Sequence, residues 1–166
     1  MHSYSAGVAW SGSTGDGYDG YDRRHAGISK AGFVLPLSSD AAFLGDPVCL
    51  NPEELLVLAA ASCQLLSFLA VAARARINVI DYRDEAAGQM PDDALTQITL
   101  RPHIVVAAGA VGGHVRTVDE ARVRHLCEVA HRECYVSNSL RTPISVEPTV
   151  TICPITDGQV NDLSPE

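Results

Sequence analysis

Leu55 to Ala73 is a run of 19 residues made mostly of Leu, Ala and Val, and it limits the folds open to this chain more than any other segment. As a helix it is long enough to reach across a bilayer. Three features point elsewhere: Ser62, Cys63, Gln64 and Ser67 cluster at its middle, many of its apolar positions are only alanine, and it is the sole run of its kind. Polar groups at mid-membrane depth are costly, whereas a helix apolar on all sides is what the centre of a soluble core or a dimer contains. A buried helix is expected, with no membrane as partner. Asn51-Pro52-Glu53-Glu54 opens it: Asn can cap, Pro suits the first helical position, and two carboxylates meet the positive end of the dipole. The helix is expected to continue to about Arg76.

The 166 residues set a prior of one domain, and 46% of them are apolar, enough for a substantial core. Net charge is −8, with Lys30 the only lysine. Such an acidic surface argues against nucleic acid or anionic lipid as a partner. Met1 to Gly15 has no basic start and no apolar stretch, so no secretory leader is expected. The five cysteines (Cys49, Cys63, Cys127, Cys134 and Cys153) are an odd number and too few for a disulfide scaffold. A reducing cytoplasm is the expected compartment, where a disulfide would be transient and catalytic.

Around the long helix the pattern is mixed. Val8 and Trp10 suggest a first strand, Gly12 to Gly20 a loop, and Ala31 to Leu37 a further strand. Gly12, Gly15 and Gly17 lack the strand-to-helix context of a phosphate loop, and a hairpin or loop is the better reading. Val79 to Gly88 reads as a strand. Ile98, Leu100, Ile104 and Val106 mark another of period two, which Pro102 makes an edge or bends, and Gly109, Gly112 and Gly113 close it with a loop. Thr117 and Glu120 form a possible capping box. The helix that follows puts Val123, Leu126, Cys127, Ala130 and Cys134 on one inward face. Ile144 to Ile152 is the last strand, and the polar tail from Thr156 is expected to fray. The fold class is α+β, in a single domain over residues 1–166 with two helices.

Cys63 lies midway along the apolar helix beside Ala59-Ala60-Ala61-Ser62, small neighbours that leave room for a reagent. The same position suits a cysteine acting as a small hydrophobe. Cys134 ends the second helix just before Tyr135-Val136-Ser137-Asn138-Ser139, where the chain turns and a thiol could swing to another sulfur; it too could be plain core. Cys127, His131 and Cys134 share a helix face, but a structural zinc needs a fourth ligand and denser Cys/His pairing, so no metal is expected. A reactive thiolate needs a cation or donors nearby. Tyr18-Asp19-Gly20-Tyr21-Asp22-Arg23-Arg24-His25 offers two arginines, though the segment also reads as a solvated, charge-compensated loop. Glu53 could orient an arginine, but it precedes Cys63 by ten residues, about 15 Å along a straight helix. To serve one site, the helix must bend or Glu53 must come from a second chain.

Taken together, Trp10-Ser11-Gly12, the Tyr18 to His25 pattern, Gly45-Asp46-Pro47, Asn51-Pro52-Glu53-Glu54-Leu55-Leu56, Ala61-Ser62-Cys63 and Ala130 through Cys134 to Ser139 resemble the OsmC/Ohr superfamily, over about Val8 to Thr151. The resemblance implies an intertwined homodimer, with long buried central helices and second helices packed with antiparallel sheets. It implies a cysteine-based peroxidase that reduces small hydrophobic organic hydroperoxides. By position, Cys63 matches the peroxidatic thiol and Cys134 the resolving one. Glu53 matches the acid at the helix start, and Arg23 the activating arginine, with Arg24 adjacent. A Cys63 sulfenate would condense with Cys134 to a disulfide that an external dithiol reduces, with no cofactor. Gln64 stands where many relatives carry histidine, and Tyr135 where proline is common. Two other readings stay open: a cysteine-nucleophile hydrolase or acyl transferase with His131 as base, and a non-catalytic dimeric redox-sensing or ligand-binding protein.

Overall fold

The computed structural model of the chain describes residues 1–111, 114–116 and 118–154. Thr117 as a cap, Gly112 and Gly113 as loop residues, and the tail from Thr156 lie outside them. The chain is α+β and falls into two compact units, Met1–Leu56 and the residues from Val57 onward, divided within the first helix.

The first unit carries a three-stranded antiparallel sheet in the order β1-β2-β3, with β1 Ala6–Ala9, β2 His25–Ser29 and β3 Val34–Leu37. The sequence reading missed β2, whose residues sit at the end of the arginine segment. After a 3-10 turn at Ala41–Phe43, Gly45 comes so close to Ser39 that a β-carbon would lie 1.7 Å from the Ser39 carbonyl oxygen. That approach lets the Asp46 amide donate to Ser38 Oγ at 3.0 Å. Asn51 then caps α1, Pro52–Arg74. Its Oδ1 accepts from the Glu54 amide at 2.8 Å, and Glu54 Oε2 accepts from the Asn51 amide at 3.0 Å. This reciprocal box satisfies two otherwise orphaned donors.

α1 ends two residues before the expected Arg76, which instead adopts φ 57°. The Ile77 amide donates to Ala72 O at 2.9 Å and the Arg76 amide to Ala73 O at 3.0 Å. This is a Schellman stop, with arginine in the left-handed position usually filled by glycine. Within the chain, α1 is not apolar and buried all round. Ala60, Gln64, Phe68, Val71 and Ala72 are its buried residues, while Leu58, Leu66 and Leu69 are 53%, 65% and 39% exposed. By length and composition α1 could cross a membrane.

The second unit contains two sheets of mixed pairing rather than purely antiparallel ones. One has the order β10-β7-β4, from Thr149–Pro154, Pro102–Val111 and Asn78–Asp84, with β8 His114–Arg116 hairpinned onto β7. The other has the order β5-β6-β9, from Ala87–Gln89, Gln97–Leu100 and Ile144–Val146. Three expected strands are thus split in two, Val79 to Gly88 into β4 and β5, Ile98 to Val106 into β6 and β7, and Ile144 to Ile152 into β9 and β10, and Gly109 belongs to β7. For the last two the physical reason is a pair of prolines. Ile98 faces Ile144 in the parallel β6–β9 pair and His103 faces Thr149 in the parallel β7–β10 pair, 46 residues apart in both. The register is continuous, and it breaks where Pro102 and Pro148 stand opposite each other without amide donors. β7 is central in its sheet; Pro102 is tolerated because it is the first residue of the strand.

The breaks divide the apolar residues between two cores. Ile104 and Val106 join Phe68, Val71, Ala72, Ile77 and the inward face of the second helix, namely Val123, Cys127 and Ala130. Ile98 and Leu100 join Ala60, with Val136, Leu140, Ile144 and Val146 packed against them. α2 is Glu120–Glu133, capped by Asp119, whose carboxylate accepts from the Arg122 amide at 2.7 Å. Glu120 pairs with Arg124 at 2.7 Å. α2 stops at Cys134, and a five-residue helix, α3 Tyr135–Ser139, follows.

Candidate functional site

The Cys63 thiol lies on α1 and receives the amide N–H of Val136 at 3.5 Å. Burial alone would raise its pKa, but hydrogen bonds from the Val136 amide, the Cys134 thiol, the Tyr135 amide and the Ser67 hydroxyl overcome that and hold it below the ordinary thiol value. These donors are there for local reasons. The first two amides of α3 have no intrahelical acceptor, and Ser67 is one helical turn beyond Cys63 on α1. Cys134 behaves oppositely. Burial pushes its thiol up, hydrogen bonding from Ser137 works against that, and the neighbouring Cys63 reinforces it. Between the two sulfurs, the negative charge belongs on Cys63 and the proton on Cys134. Both thiols are free.

The other cysteines differ. Cys127 is buried in the core, where desolvation pushes its thiol up to about 12. Cys49 Sγ lies 3.9 Å from Asp46 Oδ2, and Cys153 sits in β10. His131 lines a cleft with Arg101, Arg124 and Cys127, and among the described residues no histidine is one of the groups that hydrogen-bond Cys63. The base needed for acyl transfer is therefore not among the thiol's partners. Among the described residues, no three His, Cys, Asp or Glu side chains gather as a metal set.

The first unit separates the two arginines. Arg23 is 8% exposed. Its Nη1 donates to the Tyr21 carbonyl at 2.7 Å and its Nη2 to the Tyr18 carbonyl at 2.6 Å. Its guanidinium carbon lies 4.7 Å from the Tyr18 ring centroid and 4.1 Å from that of Tyr21. Trp10 packs edge-on against Tyr21 and donates Nε1 to the Asp22 carbonyl at 2.8 Å. A cavity of about 350 Å³ borders Trp10, Tyr21, Arg23 and His25. Among the described residues no carboxylate pairs with Arg23, so Glu53 does not hold it within the single chain; carbonyls and tyrosine rings do. Arg24 is exposed and pairs with Asp46 at 2.6 Å. The Asp46 carboxyl is held below its usual range by the Val48 amide and then by Arg24.

Residues of the sequence-derived site thus fall into two clusters. Cys63 and Cys134 meet in the second unit; Arg23 forms a tyrosine-bound cation in the first, where Glu53 occupies the first turn of α1. Sequence reasoning missed the Tyr135 and Val136 amides and Ser67. Only Ser67 had a signal, its spacing of four from Cys63.

The second unit thus carries an asymmetric pair of free thiols, Cys134 buried and Cys63 half-buried. The pattern that defines the family described as OsmC-like protein matches residues 45–149, and the chain belongs to that family. No curated protein matches it in sequence. Among solved structures, it is similar to an OsmC-like protein of unknown function from Vibrio cholerae, with 26% identity and a TM-score of 0.79 over 90% of this chain and 100% of that one. It is also similar to a putative organic hydroperoxide resistance protein of Vibrio cholerae with captopril bound in one of its active sites, at 22% identity and TM-score 0.62 over 90% and 93%. An organic hydroperoxide resistance protein OsmC of Legionella pneumophila matches at 18% identity and TM-score 0.59 over 91% and 99%. The latter two likenesses are of fold.

Proposed function

We propose that this protein is a thiol-dependent reductase of organic hydroperoxides. The Cys63 thiolate attacks the terminal peroxide oxygen, the O–O bond breaks, and the alcohol leaves with a proton, giving a Cys63 sulfenic acid. The Cys134 sulfur then attacks the Cys63 sulfur and expels water, forming a disulfide. An external dithiol reduces that disulfide by exchange and is itself oxidised to its disulfide. The cycle uses no metal, haem or flavin and suits a reducing cytoplasm. The observation that carries the reading is the asymmetric thiol pair, one sulfur favouring its anion and the other its proton within hydrogen-bonding reach. The names of several structural neighbours support it.

Arg23 serves in this reading as the cation that polarises the peroxide, since within the chain it is held by carbonyls and tyrosine rings and keeps its charge for a partner. Glu53 orients it across a homodimer. The half-exposed leucines of α1 support that assembly, because an apolar face of this kind is stabilised by a second copy. The small, apolar neighbours of Cys63 favour a hydrophobic peroxide over a hydrated one. The test is dithiol-dependent consumption of cumene hydroperoxide or tert-butyl hydroperoxide by the purified protein. Turnover that vanishes in Cys63→Ser supports the assignment; equal turnover in that variant refutes it.

A further inference from the structure

Gln64 is the only polar residue in the buried set of α1, placed four residues after Ala60 and four before Phe68. It is completely buried, and it stands between the two cores: Ala60 belongs to one and Phe68 to the other. A leucine there would extend the apolar stripe at no desolvation cost, so an amide at this position calls for a physical reason. Its Nε2 donates to the Cys127 carbonyl at 3.2 Å, while its Oε1 is buried without a partner. A helical carbonyl has a second lone pair free for such a donor. The bond joins α1, at the residue after Cys63, to α2, two turns before Cys134.

We propose that Gln64 is a positioning residue that fixes the register of α2 against α1 and thereby keeps the donors of Cys134, Tyr135 and Val136 on the Cys63 sulfur. The route is short. From Cys127 the rigid helix runs to Glu133, the Cys134 amide donates to the His131 carbonyl at 3.2 Å, and Tyr135 and Val136 follow at once. A slide or rotation of α2 carries all three donors with it. The Val136 amide, at 3.5 Å from Cys63 Sγ, makes an ordinary N–H···S bond that weakens as a shift of α2 lengthens or bends it. Apolar packing is non-directional and would leave several close registers nearly equal in energy; one directed bond between the helices selects among them. This role deepens the proposed reductase cycle and rests on it for its purpose, but the geometry can be read without any peroxide.

The experiment is the pH dependence of Cys63 alkylation by iodoacetamide in the full-length protein, followed by peptide mass mapping. Gln64→Met keeps the chain length and removes the amide. It is expected to move the Cys63 midpoint upward and slow alkylation near neutral pH by about tenfold, one pKa unit. Gln64→Glu is the rescue: a carboxyl buried without a cation stays protonated, donates its hydroxyl to the Cys127 carbonyl and restores a midpoint close to that of the parent. If Gln64→Met does not fold, Gln64→Asn, one methylene too short to reach Cys127, takes its place with the same expectation. A lower melting temperature with an unmoved Cys63 midpoint overturns the proposal and leaves Gln64 a merely structural residue. A moved midpoint in a protein that never turns over peroxide upholds the positioning role and sinks the reductase reading, so the two fail separately.

Discussion

Cys63 Sγ accepts the amide N–H of Val136, two residues beyond Cys134, at 3.5 Å; both thiols are free, and their pKa values are pushed in opposite directions, Cys63 down and Cys134 up. Two sulfurs of opposite protonation preference are thus neighbours before any oxidation.

The first consequence concerns the division of labour. Cys134→Ser is expected to leave the first peroxide attack intact and to trap Cys63 as a sulfenic acid, seen as a mass gain of one oxygen and as labelling by dimedone. Cys63→Ser is expected to show neither, with turnover reduced about a hundredfold or more. Oxygen accumulating on Cys134 instead would reverse the two roles.

The second is a pH order. A thiol reacts as its thiolate, so reactivity rises as pH passes upward through the pKa. Cys63 lies below the ordinary thiol value, Cys134 above it, and Cys127 at about 12. Alkylation scanned upward from neutral pH is therefore expected at Cys63 first and at Cys127 last. Linkage has the same sign. The depressed Cys63 pKa contributes stability that is present above the unfolded thiol pKa and is lost as pH falls through the folded one.

The third separates the arginines. Arg23→Ala is expected to lower peroxide turnover and also stability, because it unpairs two carbonyls and a stacked cation, each worth about 1 kcal/mol. Arg24→Ala removes only an exposed ion pair and should leave the melting temperature nearly unchanged. Equal turnover losses in the two variants would remove the basis for assigning the activating cation to Arg23.

The fourth tests assembly. Leu66 is 65% exposed on α1, and burying a leucine contributes about 1.5–3 kcal/mol. Leu66→Glu is expected to convert a dimer to a monomer in sedimentation velocity. A parent protein that sediments as a monomer at all concentrations rules out the homodimer.

The fifth is local. Arg76 holds φ 57° at the Schellman stop, a conformation that costs a non-glycine residue on the order of 1 kcal/mol. Arg76→Gly should raise the unfolding free energy by about that amount, offset in part by glycine's extra freedom in the unfolded chain. A denaturant titration reads it directly.

Sequence alone determined whatever depends on neighbours along the chain. It marked the start of α1 at Asn51-Pro52, the inward face of α2 with Val123, Cys127 and Ala130, the α+β class, and Cys63 and Cys134 as the thiols to watch. Those signals are local: caps, helical spacing and residue type. Only the tertiary structure decided that two alternating segments break at facing prolines, because Pro102 and Pro148 become opposed only once a parallel register aligns them. The same holds for the chemistry. That Cys63 carries the charge and Cys134 the proton depends on amides from a helix more than 70 residues away in sequence, and hydrogen-bond donors act through distance and direction, which spacing along a chain does not encode.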